Sequence, residues 1–331
     1  NQRGAGLNAM DLVKNLLFAK ANESDFQKIK DIWKEIMYNL QQCREDSSTL
    51  LFLMYFIIAR YHIGIFREDE LYRWFISKEG TSALNYERNP VGLAKELKVM
   101  SKRYSDLVVA TELVKDGGQY PNVTNIGLVN KYRSRQHLIL LLALSEQADK
   151  EAIEYLAKQL ESLFFYSNTL SIQAKSNETN FTKWAVKLRG KKSTSEISPI
   201  IEEEFISYLE PKITEFKNRF KSISHFHYSP GYRERYILGK MENTIRAKCN
   251  LPLQGNDFIN NLQIEHIFPQ TPKNNIIPSE FSDIQEYKYY TYRLGNTTLL
   301  EGMINQAVNN YNDLDSAWYA KKKTEYVKSD L

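Results

Sequence analysis

Leu262–Pro272 reads LQIEHIFPQTP. An acidic residue and a histidine, Glu265 and His266, stand side by side in an apolar frame, and a Phe-Pro break follows at once. The stretch predicts a short strand that leaves the core on a polar pair. Such a pair is either the centre of an active site or an ordinary polar strand end, and the surrounding sequence decides between them.

Working outward, residues 294–300 (LGNTTLL) predict a second short strand, and residues 316–329 (SAWYAKKKTEYVKS) a closing helix. Upstream, residues 233–248 (RERYILGKMENTIRAK) predict a helix between two turn-rich segments, 222–232 (SISHFHYSPGY) and 249–261 (CNLPLQGNDFINN). Helix, strand, loop, strand, helix is the order of a compact C-terminal unit, expected over 223–331. Before it, from Leu7 to about Phe220, apolar residues recur at three- and four-residue steps. Helices are expected over 10–20, 26–40, 48–61, 69–78, 91–104, 135–147, 150–166 and 199–221. Asn8 is the expected cap of the first and Ser24 or Asp25 of the second. Asn89-Pro90 and Gly117-Gly118 mark turns between helices. The fold class is therefore mainly α, a multi-helix region over 1–222 followed by a small strand-containing domain over 223–331, with no repeat of fixed period.

With 331 residues, 42% of them hydrophobic, the chain is large enough for a substantial core. Its longest apolar runs, 50–59 and 138–144, fall short of the roughly 20 residues that cross a bilayer, so no membrane span is expected. Two cysteines, Cys43 and Cys249, give neither a thiolate zinc site nor a disulfide framework, and a reducing, cytoplasmic setting is expected. The chain opens on Asn1 with no basic region before an apolar one, which predicts a piece of a longer protein rather than a signal peptide. A net charge of +4 permits nucleic acid without demanding it. The distribution says more: Lys183, Lys187, Arg189, Lys191 and Lys192 cluster, Arg233, Arg235, Arg246 and Lys248 recur along one helix, and Lys321–Lys323 form a run. Each reads as a solvated helix face, yet all lie in the half of the chain that carries Glu265-His266.

Hydrolysis of a phosphodiester with metal help needs a base that takes a proton from water, oxygen ligands for a hard cation, and a group that holds the base in its working tautomer. Histidine, with an ordinary pKa of about 6.5, suits the first task. Carboxylate and amide oxygens suit Mg²⁺ or Mn²⁺. The polar residues set into apolar frames of the C-terminal unit are Glu265, His266, Asn296 and Asn305, and these types match the requirement.

IEHIFPQ, then LGNTTLL, then Asn305 with Asn309-Asn310, then a Trp-, Lys- and Tyr-bearing helix resembles the C-terminal nuclease domain of GmrSD-like modification-dependent restriction enzymes, which is an HNH (His-Me finger, ββα-metal) domain. The opening NQRGAGLNAMDLVKN resembles the segment that closes the ParB-like, nucleotide-handling domain of the same enzymes. The resemblance implies that His266 is the general base and Glu265 a metal ligand. It implies that Asn296 braces the histidine loop and that Asn305, nine residues on, is the second ligand. Thr297 stands where the family usually has Leu, a change expected to affect packing. Arg293, Lys321, Lys322 and Lys323 are candidate contacts to flanking DNA phosphates.

The expected activity is divalent-metal-dependent hydrolysis of DNA in restriction of modified or phage DNA. Its expected partners are DNA and an upstream ParB-like domain, with a homo-oligomer compatible. The alternatives are a non-catalytic DNA-binding or sensor subunit and an RNA-directed nuclease or toxin. His225 and His227 form an H-x-H read as a surface or loop pair, since no third metal ligand is evident nearby. His62 and His137 read as core or helix-end histidines.

Overall fold

The computed structural model describes residues 9–43, 48–64, 67, 70–112, 119–130, 135–172, 177–225, 232–273 and 276–331. The chain divides into two compact units, Asn1–Ile213 and Thr214–Leu331.

Among its described residues the first unit is helical: α1 (Ala9–Lys20), α2 (Glu23–Gln41), α3 (Ser48–Arg60), α4 (Leu71–Ile76), α5 (Lys78–Leu84), α6 (Pro90–Thr111), α7 (Pro121–Asn130), α8 (His137–Ala143), α9 (Lys150–Thr169), α10 (Glu178–Leu188), α11 (Thr194–Ile201) and the single turn α12 (Ser207–Leu209). The apolar period builds the core. Ile29, Trp33, Ile36 and Leu40 fall on one face of α2 and are buried, and α2 packs on α6, α7 on α9, and α3 on α8. Arg189 closes the end of α3: its guanidinium donates to the carbonyls of Ala59 (2.9 Å) and Ile58 (3.0 Å) and to that of His62. That arrangement satisfies acceptors a helix C-terminus leaves unpaired and turns one member of the basic cluster inward. Lys187 pairs with Glu203 and Glu204, so its charge is matched within the unit, and Lys192 Nζ donates to the Gln147 amide oxygen.

Several boundaries differ from expectation for local reasons. Asn22, not Ser24 or Asp25, caps α2, its side chain accepting from Asp25 N at 2.8 Å. Asn8 and Gly117-Gly118 lie outside the described residues. The helix expected over 69–78 is two helices, because the Ser77 hydroxyl accepts from Gly80 N and starts α5 anew. The helix expected over 199–221 is broken by a π turn at Glu202–Ile206 and a 3-10 turn at Glu210–Lys212. Pro211, lacking an N–H, cannot continue the α ladder there. His137 is fully buried and its Nε2 meets Thr111 Oγ1 at 3.0 Å, a core histidine.

The second unit runs α13 (Ile213–Lys221), α14 (Tyr232–Lys248), α15 (Asn256–Asn261), β1 (Gln263–His266), α16 (Ile284–Thr291), β2 (Thr297–Leu300), α17 (Gly302–Val308) and α18 (Trp318–Tyr326). The two strands pair antiparallel, with Glu265 opposite Thr298 and His266 opposite Thr297. Ile259, Leu262 and Leu299 form a small core joined by Leu238, Phe258 and Ile264. Helices α15 and α16 arise in segments without a clear apolar period; Asp283 starts α16 by accepting from Gln285 N and Glu286 N. No helix among the described residues is long and apolar enough to cross a membrane.

Candidate active site

Successive side chains of a strand leave opposite faces, so Glu265 and His266 enter two different environments. His266, the last residue of β1, is nearly buried. Its Nδ1 donates to the Thr291 carbonyl at 2.9 Å, which leaves the lone pair on Nε2, and there the Gln270 amide approaches at 2.7 Å. Burial, followed by the nearby His225, pulls the imidazole below its usual pKa; the Thr291 bond and the Glu234 and Glu265 carboxylates act the other way. The net direction favours the neutral ring, the form that accepts a proton.

Asn296 lies just ahead of β2 and bonds only backbone. Its Nδ2 donates to the carbonyls of Thr291 (2.8 Å) and Phe268 (3.0 Å), and its Oδ1 accepts from Phe268 N (2.8 Å). Ile267 N donates to its carbonyl at 2.9 Å. One side chain therefore ties both ends of the excursion 267–291, and the Thr291 oxygen that holds His266 also receives Asn296. Tyr287 secures the same excursion, its hydroxyl donating to Pro269 O at 2.6 Å; burial first pushes its pKa up to about 12. Thr297 Oγ1 donates to Leu294 O at 2.7 Å, so the departure from leucine is absorbed by a local bond.

On the other face Glu265, buried to 4% exposure, accepts from Lys322 Nζ (2.8 Å) and Tyr326 OH (3.3 Å), both on α18 and both to Oε1. Lys322 Nζ also donates to Ile267 O at 2.9 Å. Burial pulls the Lys322 ammonium below its usual range against the pull of Glu265, and burial raises Tyr326. Asn305, on α17, donates from Nδ2 to Gln263 Oε1 at 2.8 Å, while its Oδ1 is buried with no hydrogen-bond partner. Gln263 and Glu265 share a strand face, so Asn305 reaches the face that carries the carboxylate. Among the described residues no three His, Cys, Asp or Glu side chains converge as a metal cage. An orphaned amide oxygen on the strand face that also carries a carboxylate fits a hard cation that keeps most of its waters, with the Lys322 ammonium as its competitor for Glu265.

The candidate phosphate contacts separate. Lys322 is wholly inside the unit, where its ammonium serves Glu265 rather than a surface phosphate. Lys321 pairs with Asp315 on the surface, and Lys323 lies 5.1 Å over the Tyr319 ring. Arg293 donates to Lys221 O at 2.6 Å and lies 4.0 Å over the Tyr289 ring. Sequence reasoning passed over Glu234 and read His225 as a loop residue; His225 Nδ1 meets Glu234 Oε2 at 2.6 Å, and its ring lies 5.4 Å from that of His266. The H-x-H pattern was the available signal for this pair, and its second member, His227, lies outside the described residues.

Residues 210–331 match the family model described as GmrSD restriction endonucleases, C-terminal domain. This segment is a GmrSD restriction endonuclease C-terminal domain. Its strand pair, His266, Asn296 and the helix bearing Asn305 all lie within the matched residues. The GmrSD domain places the chain's C-terminal part in a restriction nuclease family that typically uses a metal. Comparison with curated proteins finds no match.

Proposed function

We propose that the chain is a divalent-metal-dependent endonuclease that hydrolyses DNA phosphodiester bonds, in restriction of modified or phage DNA. The observation that carries this reading is the state of His266: Nδ1 donated to a backbone carbonyl, Nε2 left as the proton acceptor, and the ring held neutral by burial. In this reading His266 Nε2 takes a proton from the attacking water once the Gln270 amide gives way. Asn296 keeps the Thr291 carbonyl in place and so keeps the tautomer. Glu265 and Asn305 would hold Mg²⁺ or Mn²⁺, which when bound supplies charge stabilisation to the developing phosphorane and the leaving oxygen. Arg293, Lys321 and Lys323 are the remaining candidates to hold flanking phosphates.

The domain reading that accompanies this activity is a helical region over 1–222 and a nuclease domain over 223–331, acting with a ParB-like domain whose closing segment the opening residues resemble. Plasmid cleavage with Mg²⁺ or Mn²⁺ tests the activity: His266→Ala is expected to slow it by about 10² to 10⁴, and persistence of wild-type cleavage would remove His266 from the mechanism. Matched DNA and RNA substrates test the sugar, with degradation of RNA alone overturning the restriction reading.

A further inference from the structure

Glu234 is 1% exposed, and it sits in the first turn of α14, where the helix dipole tolerates a carboxylate. A buried carboxylate is unfavourable unless its charge is engaged. One oxygen, Oε2, accepts from His225 Nδ1 at 2.6 Å; the other has no hydrogen-bond partner. His225 is also fixed through its backbone, since its N donates to Tyr292 O at 2.7 Å and Ser224 bridges to Arg293. Anchored at main chain and ring, His225 turns its imidazole against His266 at 5.4 Å with the planes at 72°. Tyr292 makes a matching edge contact to the same ring, 5.9 Å and 76°.

The His266 ring thus makes steeply inclined contacts with two other rings, and one of those rings is itself held by a buried carboxylate. The Thr291 carbonyl chooses which nitrogen carries the proton and the Gln270 amide meets the other, but once that amide gives way to a reaction partner the ring keeps a single hydrogen bond to the protein. The two ring contacts restrict its freedom to turn about that bond.

We propose that His225 and Glu234 are positioning residues for His266: Glu234 fixes the His225 ring, and His225 fixes the orientation in which His266 keeps Nδ1 on Thr291 and turns Nε2 toward its reaction partner. The catalytic consequence rests on the reading of His266 as general base. The geometric consequence does not, because the orientation of the ring is measurable without turnover.

The experiment uses the full chain with His225→Ala, Glu234→Gln, Glu234→Ala and His266→Ala. Two readouts are taken: Mg²⁺-dependent DNA cleavage resolved into kcat and KM, and the imidazole ¹⁵N shifts of His266, tractable in a chain with five histidines. His225→Ala and Glu234→Ala are expected to lower kcat about tenfold to a hundredfold, the range for groups that orient a functional histidine, with KM little changed. The ¹⁵N shifts of His266 are expected to move from a single Nδ1–H tautomer toward the average of a mixture. Glu234→Gln retains an acceptor for His225 and is expected to recover part of kcat and the tautomer signature, which lost packing alone would not give. Where His225→Ala fails to fold, the Glu234→Gln and Glu234→Ala pair carries the comparison. An unchanged kcat with the His266 signature intact overturns the proposal. If His266→Ala cleaves normally, the nuclease assignment of that residue falls, and the ¹⁵N shifts still decide the positioning role.

Discussion

The two faces of β1 solve opposite problems. On one, Glu265 and Lys322 are both inside the protein and the face is held by a fixed ion pair with Tyr326 beside it. On the other, His266 is held by a backbone carbonyl, an amide and two ring edges, and carries no fixed charge of its own. A buried ion pair is intolerant of losing one member, because the charge left behind has no solvent. Removing a neutral imidazole leaves no charge behind, so it costs less than removing one member of an ion pair. The first face should therefore report on stability together with any metal that Glu265 and Asn305 hold, and the second on proton transfer.

The sharpest way to break this contrast is on the histidine face. His266→Ala is expected to lower kcat for DNA cleavage by about 10² to 10⁴, the usual contribution of a positioned proton acceptor, while its loss of stability stays below that of the ion-pair variants. A large loss of stability with modest loss of rate would invert the comparison.

On the ionic face, Glu265→Ala strands the Lys322 ammonium and is expected to destabilise the second unit by about 3–5 kcal/mol in urea unfolding. Lys322→Met should act in the same direction, and Glu265→Gln combined with Lys322→Met should restore most of the loss. If the single and double variants unfold alike, the pair does not hold the face together. Asn296→Ala removes three hydrogen bonds to Phe268 and Thr291 and is expected to be destabilising by about 2–3 kcal/mol, since it strands buried backbone groups. It should also slow cleavage, being the one residue that serves the histidine through a shared acceptor. The smallest structural effect belongs to Asn305→Ala: under about 0.5 kcal/mol, since it loses one bond to the exposed Gln263. It should still weaken Mn²⁺ binding about tenfold in a titration followed by electron paramagnetic resonance. Equal Mn²⁺ affinity in parent and variant would take Asn305 out of the ligand pair.

What the sequence revealed of this site follows physical range. The two strands were legible because short apolar runs bounded by turn residues carry their own signal, and the long helices because α2, α6 and α9 repeat apolar residues on one face. Helix α16 was not legible: IQEYKYYT has little apolar contrast, and it forms because Asp283 caps it and Tyr287 packs inward. The pairing of Lys322 with Glu265 spans 57 residues, and the approach of His225 to His266 brings together residues 41 apart in sequence. No local pattern encodes such meetings, so a buried lysine looked like a surface one and a structural-looking H-x-H concealed a neighbour of the proposed base. The break of the 199–221 helix was foreshadowed by Pro211 alone.

Asn296 grips the excursion 267–291 entirely through main-chain atoms, the N–H and carbonyl of Phe268 and the carbonyl of Thr291. Backbone atoms are the same whatever side chain they carry. A single asparagine thus keeps the two ends of the excursion in register whatever side chains those ends carry, while Gln270 within it still meets His266 Nε2.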